Sequence, residues 1–219
     1  MVPAGKTTSP SRPQLRVVTR VGADEVPPLS DEQLIEAVQT GDDRVSAELY
    51  DRLLPVVDHT LYRVFGRREP DHDDLVQTVF EQIVLTLARR SYAGACSLKT
   101  WASTVASHVG LNALRSRRRE RKMLDRGTEL NGETVPAPVD LEREISARSQ
   151  LEEVRGELAQ MSHKRAYAVF LHDVLGHDLA EIAVITGVSV AAAQSRLVRG
   201  RGELFRRLGR ARQASRRLS

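Results

Sequence analysis

Residues 178 to 201 read Asp178-Leu-Ala-Glu-Ile-Ala-Val-Ile-Thr-Gly-Val-Ser-Val-Ala-Ala-Ala-Gln-Ser-Arg-Leu-Val-Arg-Gly-Arg201. Ala183 is a small residue where two short helices would touch, and four positions later Gly187 supplies a turn residue that tolerates positive φ. Val188 plugs the corner, and Ser189 is placed to cap the second helix. Leu179, Ile182 and Ile185 face inward. The outer face of the second helix then carries Gln194, Ser195, Arg196, Arg199 and Arg201, groups suited to base edges and phosphates in a major groove. The stretch reads as a helix-turn-helix. The bland alternative is a helical hairpin with a solvated basic face. Ala191, Ala192 and Ala193 can offer a base only apolar contact.

Outward from this motif, helical periodicity continues and no alternating strand pattern appears. Ser30, with Gln33 three residues on, opens a short helix through Leu34, Ile35 and Val38 that ends at Gly41. Val45, Leu49, Leu53 and Leu54 continue the period, and Pro55 is expected to restart the chain as a first-turn proline. Val56, Val57, Leu61, Val64 and Phe65 form the next stripe. Asp73 is expected to cap a helix carrying Leu75, Val76, Val79, Phe80, Ile83, Val84 and Leu87. After a break around Gly94, a helix runs from about Leu98 to Arg119. Residues 123 to 140 hold Gly127, Gly132, Pro136 and Pro138, with four acidic residues against Arg126 alone, and read as an interdomain linker. Helical segments follow over 141–161, 165–175, 179–186 and 189–208. The expected architecture is all-α: two small helical domains, 30–122 and 141–210, joined by a flexible linker over 123–140. A disordered proline-rich arm precedes them over 1–29, and a basic tail follows over 211–219.

Composition fits this reading. The chain has 219 residues, 41% of them hydrophobic but only 4% aromatic, which favours helices packed through aliphatic side chains over a large β sandwich. Cys96 is the only cysteine, so neither a disulfide framework nor a cysteine-based zinc cluster is expected. No apolar run reaches the roughly 18 residues of a membrane span, and the basic N-terminus lacks a secretory apolar segment. A cytoplasmic protein with no membrane insertion is expected. No Walker-type glycines, nucleophile elbow or convincing carboxylate pair appears, so no enzyme is expected, nor any cofactor. His72 among Asp71, Asp73 and Asp74 is not a metal site, because consecutive residues cannot all converge on one ion. His172 and His177 are not a zinc pair either.

The excess of 33 Lys plus Arg over 29 Asp plus Glu is modest but segregated. Arg115, Arg117, Arg118, Arg119, Arg121 and Lys122 end the long helix, and eight arginines follow from Arg199 onward against Glu203. Each phosphate that such clusters neutralise releases counterions, so salt-sensitive nucleic-acid affinity is expected. Opposing them, Asp74, Gln77, Phe80 and Glu81 recur at three and four and share a helix face. An acidic and polar stripe with an exposed aromatic suits a basic protein helix better than DNA.

Together, an acidic docking helix, a basic helix, a linker and a C-terminal helix-turn-helix resemble a bacterial RNA polymerase sigma factor of the compact extracytoplasmic-function (ECF) group. The resemblance covers roughly 30–208. Asp73-Asp74-Leu75-Val76-Gln77-Thr78-Val79-Phe80 is similar to the family's region 2.2, Trp101 through Arg119 to regions 2.3 and 2.4, and Glu181-Ile182-Ala183 with Ser189 through Arg201 to region 4.2. The resemblance implies that Asp74, Gln77, Phe80 and Glu81 dock on the clamp helices of core polymerase. It implies that the loop from Gly94 to Leu98 receives a flipped −10 base, with Lys99, Trp101, His108 and Asn112 alongside and Arg115, Arg117 and Arg118 on phosphates. Ser189, Gln194, Ser195 and Arg199 would meet the −35 element, with Arg196 and Arg201 on the backbone. Implied partners are core polymerase (clamp helices and flap), promoter DNA and an anti-sigma factor. The acidic linker would thread the polymerase cleft. The chain departs from the family at Ala191 to Ala193, usually Gly-Thr-Val, at Gln194, usually basic, and at His108 and Asn112, commonly Asn and Asp.

Trp101 is the single tryptophan and Tyr92 the nearest other aromatic, so stacking platforms for melted DNA are few. A specialised sigma factor dependent on near-ideal promoters is therefore expected, with Trp101 in the core as the alternative. The rival reading is an autonomous helix-turn-helix regulator with an N-terminal sensing or dimerising bundle, which would bind duplex DNA tightly alone.

Overall fold

The structure, a computed structural model, describes residues 29–92, 94, 96–124 and 139–218. Residues 1–28 of the expected arm, the middle of the expected linker and Ser219 lie outside the described residues, whereas Leu29 packs on the first core. Among the described residues there are eight α-helices and no strand. The first unit holds α1 (Asp31–Thr40), α2 (Asp43–Phe65), α3 (His72–Ala88) and α4 (Leu98–Leu124). The second holds α5 (Val139–Gln160), α6 (His163–Val169), which passes into a π-helical turn at Phe170–Val174, then α7 (Leu179–Thr186) and α8 (Val190–Leu218).

Local signals set several ends as the sequence predicts. Ser30 Oγ accepts the Gln33 amide and the Gln33 side chain accepts the Ser30 amide, which closes a reciprocal cap on α1. Gly41 ends that helix in the left-handed region at φ 76°. Other expectations need correction. Pro55 does not restart the chain; it lies inside an unbroken α2, on its exposed side. An interior proline costs about 3 kcal/mol. Leu53, Val57, Leu61 and Val64 beside it are fully buried, and each contributes about 1.5–3 kcal/mol. Tertiary burial therefore outweighs the proline. The cap of α3 is Asp71, not Asp73, and Asp73 and Asp74 occupy the first turn, where their charge favours the helix dipole. The expected linker overlaps helical residues at both ends, because α4 continues to Leu124 and α5 already begins at Val139.

The core of the first unit joins Leu34 of α1, Leu49 to Phe65 of α2, Leu75 to Leu87 of α3 and Leu98 to Leu111 of α4. The second unit has two smaller clusters. Leu158, Met161, Ala166, Val169 and Leu197 form one, and Leu171, Ile182, Ala183 and Ala193 the other. The helix α8 crosses α6 at Gly200, where a Cβ would lie 2.7 Å from Val169 Cγ2 and 3.0 Å from the Arg165 carbonyl oxygen.

The two units also pack on each other. Phe170 of the second unit is buried within the core of the first. The Tyr167 hydroxyl donates to the Thr104 carbonyl at 2.9 Å, Arg63 Nη1 to the Val174 carbonyl at 2.8 Å, and Arg115 Nη1 to the Met161 carbonyl at 2.5 Å. Among the described residues, no single helix is long and apolar enough to cross a membrane.

Candidate nucleic-acid and docking surfaces

The helix-turn-helix is built as its sequence dictates. Asp178 accepts the Glu181 amide at 2.8 Å while the Glu181 carboxylate accepts the Asp178 amide at 3.0 Å, so α7 starts with a reciprocal cap. Gly187 adopts φ 63°, and the Val188 amide returns to the Ala183 carbonyl at 2.9 Å. Ser189 Oγ accepts the Ala192 amide at 3.2 Å and caps α8. The chain turns through 103° between the two helices. Ala183 and Ala193 meet in the crossing with Ile182 and Leu171. Ala193 therefore packs the motif rather than facing a base.

On the outer side of α8, Gln194 and Arg199 are exposed and Ser195 half-buried. Arg201 is already held: it bonds Asp173 and its Nη2 lies 3.0 Å from His172 Nδ1. That guanidinium, through its hydrogen bonds, holds the Asp173 carboxyl below its ordinary range. Further along α8, Val198 is 61% exposed and Phe205 74% exposed, seven residues apart on one strip. Neither stood out in the sequence, because both sit in an arginine-rich run whose charge masks its apolar positions.

The basic end of α4 divides into two groups. Arg117 is a structural cation: Nη1 lies 3.0 Å from Glu69, Nη2 reaches Asp71, and the guanidinium stands 4.6 Å from the centre of the Phe65 ring. Arg115 bonds the second unit, as above. Arg118, Arg119, Arg121 and Lys122 are exposed and form no ion pair with another described residue. They line, with Arg155, a cleft of about 830 Å³ between α4 and α5, against the carboxylates of Glu69 and Glu152. Upstream on α4, Asn112 and Lys99 are exposed, and Gly94 is exposed at φ 65°. Trp101 is half-buried, packs on the first core and lies 4.9 Å from the Tyr92 ring. His108 is half-buried rather than open on the helix surface. Its ring meets that of His163 edge-on at 4.6 Å and that of Tyr167 at 5.7 Å, and burial lowers its pKa.

On α3, Asp74, Gln77 and Glu81 are exposed, and Gln77 Nε2 donates to Glu81 at 3.0 Å. Phe80 is not the exposed aromatic of this face; it is 9% exposed and belongs to the core. The aromatic that reaches solvent is Tyr50 of α2, whose ring lies 4.5 Å from that of Phe80. The two rings wall a groove of about 740 Å³ with Leu54, Pro55, Val76 and Gln77. Tyr50 was not legible as a site residue, because its partner lies on another helix. His72 is buried, with Nε2 2.6 Å from Asp58, and no group of potential metal ligands occurs among the described residues.

A helix with a basic end, a helix-turn-helix and an acidic, groove-bearing helix define the class, a two-unit all-α protein built on a helix-turn-helix. Residues 49–120 match Sigma-70 region 2 and residues 151–204 match Sigma-70, region 4. The chain is 29% identical over 185 residues to the RNA polymerase sigma factor NccH of Alcaligenes xylosoxydans xylosoxydans, covering 81% of this chain and 94% of that one. It is 26% identical to the ECF RNA polymerase sigma factor SigC of Mycobacterium tuberculosis, over 61% of this chain and 68% of that one. Among solved structures it is similar to CnrH in complex with the cytosolic domain of CnrY, at 22% identity and a TM-score of 0.47, covering 82% and 97% of the two chains. The chain belongs to the sigma-70 family of bacterial RNA polymerase sigma factors, in the ECF group. It is a sigma factor that directs promoter-specific transcription initiation with core RNA polymerase.

Proposed function

We propose that α3 is the polymerase-docking element, α4 the −10 element and α8 the −35 element. Asp74, Gln77 and Glu81 would face a basic polymerase helix, and Tyr50 over Phe80 would give that helix an apolar seat. The single observation that carries this is segregation by helix: the exposed Asp74 and Glu81 lie on α3, whereas the exposed cations without an ion pair among the described residues lie at the end of α4 and on α8. Arg118, Arg119, Arg121 and Lys122 would hold phosphates, and Asn112 would reach the −10 strand. Gln194, Ser195 and Arg199 would meet −35 base edges, while Val198 and Phe205 offer the polymerase flap an apolar strip. We place the protein in the cytoplasm, where its template is, as a binding protein without catalysis of its own. The printed partners of similar structures, CnrY for CnrH and the anti-sigma factor NepR for RpoE of Bartonella quintana, suggest an anti-sigma factor for this chain too.

The test is Asp74→Lys combined with Gln77→Ala. Both side chains are exposed, so the protein stays folded and loses co-purification with core polymerase and run-off transcription. Unchanged co-purification would remove the docking assignment. Tight binding of duplex promoter DNA by the free chain would favour an autonomous regulator instead.

A further inference from the structure

His108 of α4, assigned above to the −10 strand, and Arg196 of α8, assigned to the −35 backbone, line one cavity of about 460 Å³ between the two units. Those promoter positions are about 25 base pairs apart, roughly 85 Å of duplex at 3.4 Å per pair. Two side chains that share one small cavity cannot span that distance. The arrangement is therefore closed, with the second unit packed over the His108 face of the −10 helix.

At this cavity the contact between the units is aromatic and uncharged. The rings of His108, His163 and Tyr167 cluster at centroid distances of 4.6, 5.7 and 5.6 Å. Tyr167 anchors the cluster through its hydroxyl on the Thr104 carbonyl, and His163 Nε2 is buried without a hydrogen-bond partner. The charged groups around the cluster are all cationic. Arg115 of α4 acts on His163, and Lys164 of α6 and Arg196 of α8 line the cavity. From α3 and α7 come only the uncharged Gln82, Ile185 and Thr186, and no carboxylate lines the cavity.

Resting on the element assignments above, we propose that the His108–His163–Tyr167 cluster is a proton-sensitive latch that holds the two units together while neutral and releases the −10 helix when its imidazoles are protonated. A proton on either imidazole places a cation in a half-buried interface among three others, with no carboxylate lining the cavity to neutralise it. The sign follows from the same contacts. Burial first, then His108 and Arg115, lower the His163 pKa from 6.5 to about 4 in the closed form, and burial lowers that of His108. Above the ordinary imidazole range the latch holds in full. As pH falls from there toward 4, the open form binds more protons and is favoured.

The test uses the full chain with Cys96→Ser and dyes on Asp51→Cys and Arg206→Cys, read by resonance energy transfer at pH 7.5 and 5.5. The contribution of His163 alone raises the open-to-closed ratio about ten-fold over that interval. His108→Phe with His163→Phe keeps the rings but not the protons, and stays closed at both pH values. Tyr167→Phe, which loses the Thr104 bond, is more open at pH 7.5. Should the double variant lose helicity by circular dichroism, His163→Phe alone makes the same comparison. Transfer that ignores pH in the parent chain, or that changes equally in the ring-preserving variant, overturns the latch. Run-off transcription by the parent chain with core polymerase at pH 7.5 separates the two ideas. Transcript without a pH response in transfer sinks the latch alone, and a pH response without transcript sinks the element assignments.

Discussion

The ring of Tyr50 lies 4.5 Å from that of Phe80, with Phe80 buried and Tyr50 42% exposed. One residue is the floor of the α2–α3 groove and the other its rim. Phe80→Ala should destabilise the first unit by about 3–5 kcal/mol through the cavity it leaves, and polymerase binding would fall as folded protein is lost. Tyr50→Ala should cost little stability, yet weaken polymerase binding in the folded chain. Urea unfolding beside a core-polymerase pull-down separates the two. Equal losses of stability would contradict the division between floor and rim.

Arg117 and Arg118 are neighbours in sequence with different work. Arg117 neutralises Glu69, whose side chain is only 8% exposed. Arg117→Ala should therefore destabilise the fold by about 3 kcal/mol, near the lower end for breaking a buried pair, because Arg67 remains beside Glu69. Arg118 is exposed without an ion pair among the described residues. Arg118→Ala should leave unfolding unchanged and reduce the salt slope of promoter binding by about one. Unfolding curves and binding at several salt concentrations test both.

That division explains which parts of the molecule were legible in its sequence. The turn at Gly187, the caps at Ser30 and Ser189 and the small residue at Ala183 are decided within a few residues, and each was read correctly. The face of α3 was read in part: spacing places Asp74, Gln77 and Glu81 outward, but the tilt that turns Phe80 into the core depends on where α2 lies. Pro55 was misread because a local rule lost to the burial of its neighbours. The Arg117–Asp71 pair and the Tyr167–Thr104 bond join residues 46 and 63 apart in the chain, and no periodicity encodes them. Interdomain closure was illegible for the same reason.

Gly200 is set by proximity rather than by a turn. A Cβ there meets Val169 Cγ2 at 2.7 Å and the Arg165 backbone at 3.0 Å, and backbone cannot swing aside. Alanine's better helix propensity would return about 1 kcal/mol, less than the roughly 1–3 kcal/mol of overpacking. Gly200→Ala should therefore loosen the α6–α8 contact and lower −35 affinity, while polymerase docking through α3 persists. Band shifts on a −35 duplex, run beside the pull-down, check this. Intact −35 binding with undiminished thermal stability would show that α6 can yield.

Arg199 and Arg201 are two residues apart on α8, but only Arg199 is free to reach DNA among the described contacts. Arg201 is committed to Asp173 and His172. Arg199→Ala should weaken −35 recognition by about 1–3 kcal/mol and relax base preference, whereas Arg201→Ala should affect DNA less and instead loosen the π-helical turn at Phe170–Val174. Arg201 holds the Asp173 pKa down, so this bond is intact above the ordinary aspartate range and is lost as pH falls through the lowered value. At neutral pH it competes with any phosphate for Arg201. Asp173→Asn removes the competing charge and should strengthen duplex binding, most visibly at low salt where a freed cation counts most. Isotherms for the three variants on matched and scrambled −35 duplexes decide it. A loss on Arg201→Ala as large as that on Arg199→Ala would mean that Arg201 leaves Asp173 for the phosphate backbone when DNA arrives.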